Sequence, residues 1–126
     1  ERILRAFEQD YEVDVVHAWG MTETSPLGTL GALPPHLVNA DVDARMKQKL
    51  KQGRPPFGVE LRLVDDDGNV LPRDGKTSGR LLVRGAAIAG GYFKGAGGHV
   101  LDAEGYFDTG DVATIEIGGE ARRGVG

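Results

Sequence analysis

The chain has no cysteine among its 126 residues, which excludes a disulfide scaffold, a thiolate metal site and a cysteine nucleophile together. The same absence is compatible with a reducing cytoplasm, the expected compartment. A long apolar run is also missing: stretches such as residues 85–93 fall far short of the ~20 residues that a membrane-spanning helix needs, and the opening Glu1-Arg2 pair gives no sign of an export signal. There is no basic excess either. With 15 Lys and Arg against 19 Asp and Glu, the net charge of -4 supplies no field that would draw the chain to nucleic acid or anionic lipid.

Glycine, by contrast, is plentiful. Twenty glycines and six prolines punctuate turns and allow close backbone approaches, so many short elements are expected. Ile3, Leu4, Phe7 and Tyr11 recur at helical spacing and predict an amphipathic helix over the first ten or so residues. No capping residue precedes it, as if the chain continued a longer one. Residues 13–19 (Val-Asp-Val-Val-His-Ala-Trp) suit a buried strand that Gly20 ends, and residues 22–35 read as loop. Residues 41–50 predict a helix with Asp41 as N-cap and Lys47, Lys49 and Lys51 near its carboxyl end.

From Gly58 onward short β segments are predicted at residues 59–64, 80–84 and 112–117, with Asp-Gly turns at Asp67-Gly68 and Asp74-Gly75. The predicted class is α+β: a short helix-strand segment, residues 1–53, then a small mainly antiparallel sheet or distorted β-barrel, residues 54–126. Arg54-Pro55-Pro56 marks the boundary.

Trp19-Gly20-Met21-Thr22-Glu23 lies where the predicted buried strand ends, the place where open α/β sheets bind ligands. Trp19 offers a face for a purine and Gly20 a close backbone approach; Thr22 offers a hydroxyl for a phosphate oxygen, and Glu23 a hard carboxylate for magnesium. The alternative is that Trp19 packs in a core and the rest forms a turn and polar loop. Downstream, Gly105-Tyr106-Phe107-Asp108-Thr109-Gly110-Asp111 precedes the predicted strand at Val112. The Asp111 carboxylate is able to accept from both hydroxyls of a ribose, or it closes a hairpin turn.

Taken in order, Trp19-Gly20-Met21-Thr22-Glu23, Gly79-Arg80-Leu81-Leu82-Val83-Arg84-Gly85, Gly91-Tyr92-Phe93 and the motif ending in Asp111 resemble the adenylate-forming superfamily. That group comprises acyl-CoA synthetases, peptide-synthetase adenylation domains and luciferases. Residues 18–26 and Gly53-Arg54-Pro55-Pro56-Phe57-Gly58 are most similar to fatty-acid-type CoA ligases.

The resemblance implies a nucleotide site of Trp19, Gly20, Met21, Thr22 and Asp111, with Thr22 and Glu23 in catalytic roles and Glu23 on magnesium. Trp19 would sit beside adenine, Thr22 at the AMP phosphate and Asp111 at the ribose. It implies ATP, AMP, magnesium and CoA as the molecules handled: a fatty acid or related carboxylate attacks the ATP α-phosphate, and the CoA thiol then displaces AMP. An aromatic or amino acid substrate is the other possibility within the superfamily, and a non-catalytic β-rich scaffold the other outside it.

The chain departs from the family pattern in several places. It carries no Gly/Ser/Thr-rich phosphate loop followed by lysine, Lys94 does not match the family's adenylation lysine, and residues 119–126 do not continue the pattern. The expectation is a piece of a longer ligase, without ligase activity alone, that is able to associate through surfaces its neighbours would cover. Arg80 stands where the family has an acid and predicts only a surface pair; Trp19 replaces a commoner tyrosine. His17 is expected to be a satisfied core histidine rather than a lining of the acyl pocket, and His36 and His99 to be solvated. Lys47, Lys49, Lys51 and Arg54 are expected to form a solvated helix face rather than a CoA-phosphate site.

Overall fold

Alternation of apolar and charged residues builds the centre of the molecule. In a computed structural model, which describes residues 1–117 and the backbone of Ala121–Arg123, strands β3 (Val59–Val64) and β4 (Gly79–Gly85) pair antiparallel with Leu61 opposite Val83 and Leu63 opposite Leu81. Those four side chains share one face of the pleat and are buried with Phe107, Ala113 and Ile115 of β5 (Phe107–Ile115). At about 1.5–3 kcal/mol for each large side chain buried, this layer is the main source of cohesion. The opposite face buries Val64, Leu82 and Tyr106. There the Tyr106 ring lies between the guanidinium groups of Arg62 and Arg84, 4.0 and 4.6 Å from its centroid, and its hydroxyl donates to Glu60 at 3.0 Å.

The sheet order is β3-β4-β5-β6, with β6 at Ala121–Arg123, and every pairing is antiparallel. Among the described residues it is open, so of the two expected forms the sheet is present and the barrel is not. Both Asp-Gly turns form, with Gly68 and Gly75 at φ 86° and 72°. The strand expected to begin at Val112 begins at Phe107 instead, because the turn-like Asp108-Thr109-Gly110 sequence is a bulge within β5. Arg80 pairs with Val112 but Leu82 with Asp108, so β5 carries extra residues there, and Gly110 takes φ 73°.

The amino-terminal part is looser. Helix α1 (Arg2–Asp10) forms as expected and buries none of its residues; Ile3 and Tyr11 are 72% and 70% exposed. The buried strand over residues 13–19 is not found. Only β1 (Ala18–Trp19) is extended in a ladder, paired with the two-residue β2 (Thr29–Leu30), and Val13 and Val16 are exposed. Strand propensity needs a partner along its whole length, and β2 is two residues long.

Helix α2 (Val42–Lys49) is capped as expected, Ala44 N–H donating to Asp41 Oδ1 at 2.8 Å. The solvated lysine face is not. Lys49 is 2% exposed, its ammonium donating to Glu8 of α1 and, at 2.5 Å, to Asp14. Lys51 is mostly covered and donates to Glu116 at 2.7 Å. Lys47 and Arg54 are exposed. Among the described residues no helix is long and apolar enough to cross a membrane.

Candidate functional site

The turn after β1 is locked from within. Thr24, 1% exposed, accepts from Met21 N–H at 2.9 Å and donates to the Pro26 carbonyl at 2.6 Å. The Pro26 carbonyl in turn occupies the space of a side chain at residue 20: a Cβ on Gly20 would lie 1.8 Å from that oxygen. Gly20 is therefore required by the turn itself. The 3-10 turn Thr22–Thr24 that results leaves Thr22 exposed, Met21 packed against the sheet core and Glu23 half-buried.

Trp19 packs against the same core, and its ring lies over Gly28, where a Cβ would come within 2.0 Å of Cζ3. Its indole Nε1–H donates to Asp111 Oδ2 at 2.8 Å. Asp111 follows directly on the β5 bulge, where Thr109 Oγ1 accepts from Asp111 N–H at 3.1 Å and donates to the Leu81 carbonyl at 2.8 Å. Bulges re-aim side chains, and this one brings Asp111 to Trp19. The core role and the position beside Asp111 are thus combined in one tryptophan.

Glu23 is engaged at both ends. Tyr92 donates its phenol to Oε1 at 2.5 Å, and Ala89 N–H donates to the Glu23 carbonyl at 2.8 Å. The Tyr92 bond, followed by a backbone N–H, holds the Glu23 carboxyl below the usual glutamate range, and the same contact raises the Tyr92 phenol. An ionised carboxylate suits magnesium. Among the described residues no group of three or more His, Cys, Asp or Glu gathers to hold a metal.

The other expectations divide. Arg80 forms the anticipated surface pair, with Asp108 at 2.6 Å. His36 and His99 are exposed. His17 is half-buried rather than core, and its buried Nδ1 has no hydrogen-bond partner among the described residues. Apart from the backbone of Ala121–Arg123, residues 119–126 lie outside the described residues.

The model of the family described as AMP-binding enzyme matches residues 1–93. The chain belongs to that family. Among curated relatives of this AMP-binding chain, the 3-methylmercaptopropionyl-CoA ligase of Ruegeria pomeroyi is 48% identical over 93% of the chain and 22% of the relative, and the medium-chain-fatty-acid–CoA ligase of Ectopseudomonas oleovorans is 45% identical over 93% and 21%. The chain thus spans about a fifth of the length of these relatives. Among solved structures, ATP-bound MatB from Rhodopseudomonas palustris superposes with a TM-score of 0.68 and 26% identity, over 89% of this chain and 20% of that one.

Within this AMP-binding family member the sequence reading missed Tyr92 and Thr24. Tyr92 stood inside a motif, Gly91-Tyr92-Phe93, and a lone hydroxyl in a glycine-rich loop was the available signal. Thr24 stood inside the family-like stretch 18–26, but its role depends on the bend that brings Pro26 back.

Proposed function

We propose that these residues form the AMP-facing part of an acyl-CoA synthetase, which activates a carboxylate with ATP and passes the acyl group to CoA. The reading rests on one observation above all: the Trp19–Asp111 hydrogen bond joins two motifs 92 residues apart, next to the turn that carries Thr22 and Glu23. A scaffold whose glycines and acids served turns alone would have no reason to join them.

In this reading Trp19 borders the adenine with the face not covered by Gly28, and Asp111 accepts from the ribose hydroxyls. A carboxylate takes several donors at once, so the indole bond and the ribose are compatible. Thr22, exposed on its turn, donates to the α-phosphate. Glu23 holds magnesium, which when bound neutralises phosphate charge. The indole bond keeps Asp111 oriented before nucleotide arrives, which reduces the ordering cost of binding. Residues 1–53 and 54–126 act as two subdomains, a division we base on the change from helix and loop to continuous sheet.

The substrate class is a linear aliphatic carboxylic acid. Support comes from the relatives, which include fatty-acid and 3-methylmercaptopropionyl ligases. The test is release of AMP and pyrophosphate by the protein that carries these residues, given ATP, magnesium, CoA and a panel of linear fatty acids, 3-methylmercaptopropionate, aromatic acids and amino acids. Turnover of the linear acids is expected, and none by the 126-residue chain alone. A preference for aromatic or amino acids would overturn the substrate class, and no release with any acid would overturn the activity.

A further inference from the structure

Both bonds on Glu23 come from one loop. Among the described residues, the Ala89 N–H to Glu23 carbonyl bond and the Tyr92 phenol to Glu23 Oε1 bond are the hydrogen bonds that tie residues 89–98 to the rest of the protein. The others turn back inside the loop, from Gly95 N–H to Tyr92, Ala96 N–H to Phe93 and Gly98 N–H to Gly95. Ile88 packs on the core, but residues 90–99 are exposed and include Gly90, Gly91, Gly95, Gly97 and Gly98. A segment this rich in glycine loses much entropy on ordering, so its anchors decide where it lies. Tyr92 is 44% exposed; burial in the core does not account for where its hydroxyl sits.

We propose that Tyr92 is a positioning residue of the nucleotide site, its phenol fixing the Glu23 carboxylate while, with the Ala89 bond, it latches the glycine-rich loop to the residue that meets the metal–nucleotide. The proposal rests on the adenylate-forming reading above. A carboxylate held at one oxygen presents the other in a fixed orientation, which is what outer-shell partners of metal-binding carboxylates supply. The coupling runs both ways: what holds Glu23 also holds the loop.

Two measurements on Tyr92→Phe, which removes only the hydroxyl, test this. In the chain as it stands, amide hydrogen exchange across residues 89–98 should accelerate in Tyr92→Phe and in Glu23→Ala alike, with the double variant little faster than either, while Phe93→Ala, at a neighbouring side chain 85% exposed, leaves exchange unchanged. In the ligase that carries these residues, Tyr92→Phe should raise KM for magnesium–ATP roughly tenfold, as loss of a hydrogen bond to a charged group implies, and leave KM for CoA unchanged. Unaltered exchange in Tyr92→Phe overturns the latch; an unaltered KM for magnesium–ATP overturns the positioning role. A protein without ligase activity toward any acid would remove the function while the exchange measurement still decides the latch.

Discussion

The indole Nε1–H of Trp19 donates to Asp111 Oδ2 at 2.8 Å, linking the end of β1 to the bulge of β5. Trp19→Phe keeps an aromatic ring and deletes the donor. The expected cost is about 1 kcal/mol of stability, with AMP affinity falling because the carboxylate is no longer preoriented. A double-mutant cycle with Asp111→Ala, followed by urea denaturation, should return a coupling on the order of 1 kcal/mol; additive single effects would show the bond to be idle.

Gly28→Ala should damage the site without touching it. The added methyl meets the Trp19 ring at 2.0 Å, so the indole must leave Asp111 or the backbone must shift, at a cost of roughly 1–3 kcal/mol. Trp19 is the only tryptophan. Its emission should therefore move to longer wavelength in Gly28→Ala, and an unshifted spectrum with native stability would contradict the packing.

Lys49→Met preserves bulk and deletes the ammonium. Glu8 keeps a side chain only 12% exposed, whereas Asp14 at 74% is free to hydrate, so the loss should be roughly 2–4 kcal/mol, toward the lower end of the range for breaking a buried ion pair. Burial works against the Lys49 charge, but its bonds to Asp14 and Glu8 prevail and raise it above the usual lysine range. The stabilisation is then complete below the unfolded lysine value of about 10.4 and is lost as pH rises through the higher folded value. Tm measured against pH should show a gap between wild type and variant that is constant through neutrality and closes in strong alkali.

Asp74 governs the opposite end of the pH scale. Backbone N–H groups of Thr77 and Lys76, then the Thr77 hydroxyl at 2.7 Å, hold its carboxyl down to about 2. Its contribution is present above the unfolded value of about 3.9 and disappears as pH falls toward the folded one. The difference in Tm between wild type and Asp74→Ala should be steady near neutrality and vanish in acid; a difference that survives there would assign the turn's stability elsewhere.

These tests also separate what the sequence disclosed from what it withheld. Strands β3 and β4, the Asp41 cap and the two Asp-Gly turns were legible because each is written in neighbouring residues: a period of two, one capping oxygen, one glycine at positive φ. Lys49 was not, because its acids come from 35 and 41 positions away and a lysine in a lysine-rich helix end otherwise looks solvated. Residues 13–19 misled because apolar, β-branched character reports what a segment would do with partners and is silent on whether it has them. Gly110-Asp111 carried true turn chemistry, but that chemistry serves a bulge as well as a hairpin. The motifs singled out Trp19 and Asp111, and the structure joins them by a hydrogen bond, whereas the hydroxyl that holds Glu23 emerges only from the folded loop.

The bulge of β5 has a consequence for how long each side of the site persists. β5 lies between β4 and β6 and carries Phe107, Ala113 and Ile115 into the core, so the strand that bears Asp111 is held by the sheet on both sides. Glu23 is secured by two hydrogen bonds from an exposed loop. If the proposed nucleotide site is right, one side of it would rest on the sheet and the other on a latch, and control over nucleotide entry and exit would fall to the second.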